Sequence, residues 1–436
     1  MSTPNVAIVS LGCAKNLVDT EELLGEIYNL NFNLVAEPES ADAVIVNTCG
    51  FIQSAVDESL GTLGEMLELK ESGVSKVYAM GCYASRSGNQ ISNVHPNLDG
   101  VFPLSETQEL LKTLKGDFNS LPNIGSRNLA GVRQISATLP HYSFLKISEG
   151  CNRTCTYCTI PSIRGGNVDK SIEELTNEAR DLVSRGVKEL NIIAQDTTAY
   201  GIEKYGEPKL LELLKSLHKV DGLQWIRLLY AYPDYLNEAL ADFLVEGEKM
   251  VPYLELPIQH AAPGVLRRMH RPDTFQLYDK LFDRLRAKKK DYALRTTVIL
   301  GFPGETDEEF DFLYNYCKER RFDRLGAFKY FKEEGTPAYK MKNQVNSELV
   351  DERYDRLMSL QRDIHFDDNQ KWVGKDMEII IDEVDESGKH GYGRTWRDAV
   401  DIDSGIEVDS SIPLHPGLIA TCRITGVNDY DLKGVL

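Results

Sequence analysis

The chain has 436 residues, 42% of them hydrophobic, which is enough for two or three domains with real cores. Its formal net charge of −18 argues against a broad, non-specific nucleic-acid surface, which needs clustered Lys and Arg. Eight cysteines are too few for a disulfide scaffold in a chain this long.

The N-terminus has no basic start followed by a long apolar core, and no apolar run approaches the roughly 20 residues that span a bilayer. The expectation is a cytoplasmic protein with reduced thiols and no membrane contact, in which clustered Cys means metal or catalysis.

Residues 1–125 alternate apolar runs with helical patterns. Val6–Val9 ends at Gly12-Cys13, Ala43–Val46 at Asn47-Thr48-Cys49-Gly50, and Val77–Met80 at Gly81-Cys82. Such runs read as buried strands of a parallel sheet. Helical patterns at Asp19–Asn29 and Ser54–Glu71 separate them, giving an open α/β sheet with right-handed crossovers. Parallel strands point one way, and ligands bind at their C-terminal edge. Cys13, Cys49 and Cys82 each fall just past such an end, so they are expected to meet at one rim as a three-thiolate site. Three unrelated core thiols are the alternative. Gly12, Gly50 and Gly81 are expected to let the backbone approach a bulky cluster.

A turn-rich stretch at about 116–140 reads as a linker. Residues 138–366 then repeat strand and helix. Strands are expected at Tyr142–Ser148, Glu189–Ala194, Trp225–Tyr230, Tyr253–Ile258, Arg295–Leu300 and Arg324–Tyr330. Helices are expected at 171–185, 208–219, 234–246, 274–290 and 305–319. Six β/α units predict a parallel, incomplete TIM-like (β/α)6 barrel with its active site at the C-terminal mouth. Polar residues fall there, among them Gln195, Asp196, Tyr232, Asp234, Gln259, His260 and Gly301–Glu305; the alternative for each is a turn or cap residue, which competes most strongly for Asp234 and Gly301–Gly304, and for His260 a satisfied structural histidine.

The first of these strands opens into Cys151-Asn152-Arg153-Thr154-Cys155-Thr156-Tyr157-Cys158. Three thiolates at C-x3-C-x2-C can converge on one metal centre. A closed structural site wants four ligands, whereas three suit a cubane iron–sulfur cluster with one iron left open. A zinc knuckle or three buried thiols remain the alternatives. Arg164 and Lys146 flank the loop and could steady a negative cluster or a carboxylate, or sit in surface ion pairs. Residues 346–371 read as a charged helix with an apolar stripe. Residues 368–436 read as a small antiparallel β-barrel. They carry 14 Asp/Glu against 7 Lys/Arg, a balance that repels phosphate and attracts a basic protein. Cys317 and Cys422 read as core residues.

The Cys loop with Tyr157 before its last Cys resembles the signature of radical S-adenosylmethionine (SAM) enzymes. Phe144–Gly150 before it and Ile160-Pro161-Ser162-Ile163-Arg164-Gly165 after it resemble the methylthiotransferase branch. Leu11-Gly12-Cys13-Ala14-Lys15-Asn16, Val18–Glu21 and Asn47–Ile52 with Ala55, Glu58 and Ser59 resemble the members that act on a ribosomal protein, S-twelve of the small subunit. The C-terminal barrel resembles a TRAM domain. Gly165–Lys170 departs from the family pattern, which has a Ser-Arg pair after the Arg-Gly.

The resemblance implies two 4Fe-4S clusters, held by Cys151, Cys155 and Cys158 and by Cys13, Cys49 and Cys82, facing a shared cavity. It implies SAM as radical source and methyl donor, and an external electron donor. Tyr157, Gln195, Asp196, Gln259 and Arg295 are the candidate SAM contacts. The expected reaction is methylthiolation of the β-carbon of an aspartate in that basic ribosomal protein. The alternatives are tRNA adenosine methylthiolation, disfavoured by the acidic C-terminal domain, and a non-catalytic iron–sulfur or zinc protein.

Overall fold

The computed structural model describes residues 3–118, 136–271 and 275–436. Most of the expected linker, 119–135, lies outside the described residues. The chain divides into two compact units: residues 1–138 with 149–153 and 158–167, and residues 139–148, 154–157 and 168–436.

The first unit contains β1 (Asn5–Ser10), α1 (Ala14–Asn29), β2 (Asn33–Leu34), β3 (Ala43–Thr48), α2 (Gln53–Glu68), β4 (Lys76–Gly81), α3 (Cys82–Val94), β5 (Gly100–Pro103), α4 (Thr107–Asp117) and α5 (Ile160–Arg164). The strands lie in the order β2-β1-β3-β4-β5, every pairing parallel. Two-residue periodicity explains why both faces are apolar. Val6, Ile45, Tyr78 and Met80 join Leu23 and Ile27 of α1 and Leu110 and Leu114 of α4 in one core. Ala7, Val44, Val46 and Val77 join Val56 and Leu63 of α2 and Ile91 of α3 in the other. The edge strands β2 and β5, with helices α3 and α4, add to the expected three-strand layout.

The second unit opens with β6 (Tyr142–Lys146), α6 (Ile172–Ser184), β7 (Glu189–Ile193), α7 (Leu210–Leu217), β8 (Trp225–Leu228), α8 (Glu238–Glu246) and β9 (Met250–Glu255). It continues through α9 (Pro263–Arg268), α10 (Phe275–Lys288), β10 (Ala293–Leu300), α11 (Asp307–Arg320), β11 (Arg324–Lys329) and α12 (Ser347–Gln370). The six strands pair in sequence order, all parallel, as an open partial barrel. Capping boxes start two of its helices, Ser171 with Glu174 at α6 and Thr306 with Glu309 at α11. Leu190, Ile192, Ile226, Leu228, Leu254 and Leu294 face the helix layer and build its core. Residues one step out of phase, such as Glu189, Asn191 and Arg227, are buried on the inner face.

β12 (Asp376–Val384), β13 (His390–Thr395), β14 (Ile406–Asp409), β15 (Ile419–Asn428) and β16 (Asp431–Val435) close a small barrel in the order β12-β13-β14-β16-β15. Its pairings are antiparallel except β14 with β16, which run parallel. Cys422 lies in its core, and Cys317 in that of the partial barrel, both as expected.

This C-terminal barrel shares a unit with the six-stranded sheet and stoppers its N-terminal end. Glu189 at the start of β7 accepts hydrogen bonds from Arg227 Nε (2.9 Å) and Arg394 Nη1 (2.6 Å). Arg394 also binds Asp382, which meets His141 at 2.7 Å. The connection between β13 and β14 supplies the rest. Trp396 O accepts from Arg227, Asp398 pairs with Arg324, and Asp403 accepts from Arg295 Nη1 (2.8 Å) and Tyr253 Oη (2.7 Å). Arg397 pairs with Asp323 and Asp368. Ions this deeply buried persist only when paired and hydrogen-bonded. Among the described residues, no helix is long and apolar enough to cross a membrane.

Candidate active site

In the first unit the three strand-end cysteines converge. Cys13 N-caps α1, Cys49 follows β3 and Cys82 opens α3. Their sulfurs are close enough that charge on Cys13 raises the pKa of both Cys49 and Cys82. A Cβ on Gly12 (φ +88°) would stand 2.8 Å from the Cys49 sulfur. Gly12, Gly50 and Gly81 all sit where an added side chain would clash. They let neighbouring strand ends approach each other: a Cβ on Gly81 (φ +101°) would stand 2.6 Å from Thr48 O, and one on Gly50 2.6 Å from Tyr83 Cα.

Buried amides lace this rim together. Asn16 Nδ2 donates to Leu11 O (2.8 Å) and Thr48 O (3.1 Å), and Asn47 Nδ2 donates to Asn16 O and to Thr20 Oγ1 (both 2.9 Å). The sequence signal for Asn47 was a polar residue two positions before Cys49 in an otherwise apolar run; Asn16, in the first turn of α1, gave none of that kind.

Arg164, at the end of α5, lies against this trio. Its Nη2 donates to Cys82 Sγ (3.1 Å), Asp19 Oδ2 (2.9 Å) and Asn16 Oδ1 (2.9 Å), and its Nη1 to Glu149 Oε1 (2.8 Å). Its side chain is only 1% exposed, so it is no surface ion pair.

The thiols differ in their electrostatics. Desolvation pushes Cys13 up, but Lys15, the Asn16 N–H and Arg164 together bring it below the ordinary thiol range, as expected at a helix N-terminus. Burial raises Cys49, and pushes Cys82 up to about 12 against the pull of Arg164.

The loop Cys151–Cys158 follows β6. All three of its cysteines are half-buried. Cys151 Sγ accepts from Arg153 N–H (3.4 Å) and Cys158 Sγ from Ile160 N–H (3.5 Å). In the second unit, Thr156 N–H donates to Met269 O (3.1 Å), Thr156 Oγ1 to Arg268 O (2.8 Å), and Ala338 N–H to Thr156 O (2.8 Å). The Tyr157 ring meets Phe302 edge-on at 6.4 Å.

Of the other candidate cofactor contacts, three follow strand ends as the sequence implied. Gln195 and Asp196 follow β7; Asp196 Oδ1 accepts from the N–H groups of Thr198 and Ala199 and caps that turn. Gln259 follows β9 with φ +66°, and its Oε1 is buried without a hydrogen-bond partner. Arg295 is placed elsewhere. Its strand starts at Ala293, so Arg295 lies in the N-terminal half and is committed to Asp403. His260 is fully buried, with Nε2 3.5 Å from Glu305, and has a structural setting.

The residues fit iron–sulfur cubanes. Each trio is all thiol, and a buried cation stands beside the N-terminal one. Among the described residues, no set of three or more His, Cys, Asp or Glu is gathered tightly enough to chelate a lone metal ion. Cubane ligands attach to different irons and stand farther apart, so their spacing does not count against a cluster.

A parallel partial barrel whose first strand opens into C-x3-C-x2-C defines a radical SAM enzyme. The family model of the Radical SAM superfamily matches residues 145–317, that of Uncharacterized protein family UPF0004 matches 5–103, and that of the TRAM domain matches 373–436. The chain is 39% identical over 442 residues to the ribosomal protein uS12 methylthiotransferase RimO of Acetivibrio thermocellus, covering 98% of this chain and 97% of that one. It is 40% identical over 441 residues to the protein of the same name from Desulforamulus reducens, covering 99% of each. The chain belongs to the ribosomal protein uS12 methylthiotransferase family of radical SAM enzymes. The radical SAM methyltransferase TsrM of Kitasatospora setae, solved with tryptophan and a SAM analogue, shares the fold at TM-score 0.59 and 12% identity, over 83% of this chain and 89% of that one.

Proposed function

We propose that this radical SAM methylthiotransferase places a methylthio group on the β-carbon of an aspartate in ribosomal protein uS12, in the cytoplasm, using SAM, an external electron donor and two 4Fe-4S clusters. Cys151, Cys155 and Cys158 hold one cluster, and Cys13, Cys49 and Cys82 hold the other. The convergence of Cys13, Cys49 and Cys82 from three separate strand ends carries this reading, because a second all-thiol trio can hold a second cluster with an open iron, which would carry the sulfur to be inserted. When bound, a cluster with an open iron and SAM supply the carbon radical that removes hydrogen from an unactivated carbon, which acid–base chemistry cannot do at neutral pH.

The chain's own residues orient and exclude water. Arg164 offsets thiolate charge beside Cys82. Tyr157, Gln195, Asp196 and Gln259 line the mouth and bind the polar parts of SAM. The C-terminal barrel supports a basic protein substrate over RNA. Two of its 7 Lys/Arg, Arg394 and Arg397, and two of its 14 Asp/Glu, Asp382 and Asp398, are buried in the barrel floor, which leaves 14 − 2 = 12 Asp/Glu against 7 − 2 = 5 Lys/Arg elsewhere.

The test is anaerobic reconstitution with iron and sulfide, followed by incubation with SAM, a reductant and either uS12 or tRNA. The expected products are 5′-deoxyadenosine and methylthio-aspartate in uS12. Methylthio-adenosine in tRNA alone would overturn the substrate assignment, and zinc in place of iron would overturn the chemistry.

A further inference from the structure

Arg271 is a buried cation with no counter-charge among the described residues. The residue is 8% exposed, and its guanidinium is charged at any physiological pH. Among the described residues it makes no ion pair. Its Nη2 donates to Pro257 O (2.8 Å), its Nη1 to Tyr157 Oη (3.4 Å), and its plane lies 4.3 Å from the Tyr232 ring centroid. Nε is buried with no hydrogen-bond partner. Neutral contacts do not offset a desolvated full charge. Every other deeply buried arginine of this unit has a carboxylate: Arg227 has Glu189, Arg324 has Asp398, Arg353 has Glu305, Arg394 has Glu189 and Asp382, and Arg397 has Asp323. Arg271 has instead the Tyr157 hydroxyl of the cysteine loop, and beyond it Tyr278, Tyr232 and, more weakly, the Cys155 sulfur of the same loop.

We infer that Arg271 is the positioning and charge-compensating residue of the cluster held by the Cys151–Cys158 loop. The inference rests on the cluster assignment made above. A cubane on three thiolates carries one net negative charge when oxidised and two when reduced. A fixed buried cation beside it therefore favours the one-electron reduced form, and charge and hydrogen bonding are known levers on cluster potential. With the cluster bound, the electron would come from the external donor and leave to SAM. Arg271 itself undergoes no chemistry.

The experiment uses the full chain with Cys13, Cys49 and Cys82 replaced by Ala, so that only the loop cluster assembles. Arg271→Met and Arg271→Lys are compared with this parent by iron and sulfide content and by redox titration followed by electron paramagnetic resonance. Arg271→Met is expected to lower the reduced-to-oxidised ratio at fixed potential about tenfold, a midpoint shift of ~59 mV for one electron. Arg271→Lys, which keeps the charge, is expected to retain most of the parent's ratio. If Arg271→Met fails to load iron, full loading in Arg271→Lys still supports a charge role. Equal loss in both variants makes the role one of packing and overturns the inference. An iron-loaded Arg271→Met with an unchanged midpoint also overturns it, including the case where only its SAM affinity falls. A parent that binds no iron sinks the cluster assignment itself, an outcome distinct from the others.

Discussion

Replacing Glu189 by Gln keeps the shape of the side chain and removes its charge. Glu189 is fully buried and is the one carboxylate that Arg227 pairs with among the described residues. Arg394 keeps Asp382 after the change, whereas Arg227 is left with Trp396 O and the Tyr253 ring, 4.7 Å away. Removing one partner of a buried pair costs about 3–5 kcal/mol. With an m-value near the top of the usual range, about 3 kcal/mol per molar urea, the midpoint should fall by about 1–1.7 M. All three tryptophans, Trp225, Trp372 and Trp396, lie in the unit that contains this network, and Trp372 meets Trp396 edge-on at 5.8 Å. Urea titration followed by tryptophan fluorescence thus reads the right unit. Adding Arg227→Met to Glu189→Gln removes the stranded cation and should restore about 1–3 kcal/mol relative to the sum of the single changes. A Glu189→Gln midpoint within about 0.3 M of the parent, or strict additivity in the double variant, would refute the argument that this floor is held by mutual neutralisation.

Arg164→Met should roughly halve bound iron while the loop cluster persists, since each cluster has its own cysteines; Arg164→Lys should fall between, and full iron in both would assign Arg164 to packing. Gly12→Ala introduces a Cβ 2.8 Å from Cys49 Sγ at φ +88°, and the expected result is loss of the N-terminal cluster, read as iron content, at a stability cost of about 1–3 kcal/mol. Burial would raise Glu189, Asp382 and Asp398, but Arg394 with Arg227, His141 with Arg394, and Arg324 respectively hold them below the ordinary carboxylate range. Their contribution is complete above the unfolded value near 4 and drains as pH falls through it toward the lower folded values, so the main decline of the urea midpoint should fall below about pH 5; burial lowers His218 and His365, whose smaller loss starts earlier, below the unfolded value of about 6.5. A midpoint unchanged at about pH 3.5 would contradict this.

The central strands were legible because a strand buried on both faces is largely apolar, as Ala43–Val46 is before the polar Asn47 and Thr48 at its end. The edge strands were not: Asn33–Leu34 has two residues, and Gly100–Pro103 begins and ends on strand breakers. Met250–Glu255 starts three residues before the expected Tyr253; it contains Pro252, which disfavours a strand, and the structure accommodates it where the register with β8 shifts. The six cysteines could be read from spacing and from their position after strands. Arg164 was visible as a cation, but its partners at Asn16, Asp19 and Cys82 are about 80 to 150 residues away, and local pattern carries no information on pairing at that distance. The same holds for Arg295 and Asp403, whose meeting moved Arg295 from the mouth to the floor. Arg271 gave no signal, since only its burial makes its charge informative.

The stopper formed by residues 396–403 bears on how the protein can be dissected. A chain ending near residue 370 would leave Arg295 and Arg324 without Asp403 and Asp398, and His141 without Asp382. Such a truncation would unsettle the catalytic sheet from below, so any loss of substrate modification would report collapse rather than lost docking. Charge reversals confined to the outer strands of the small barrel leave the seal intact and isolate recognition.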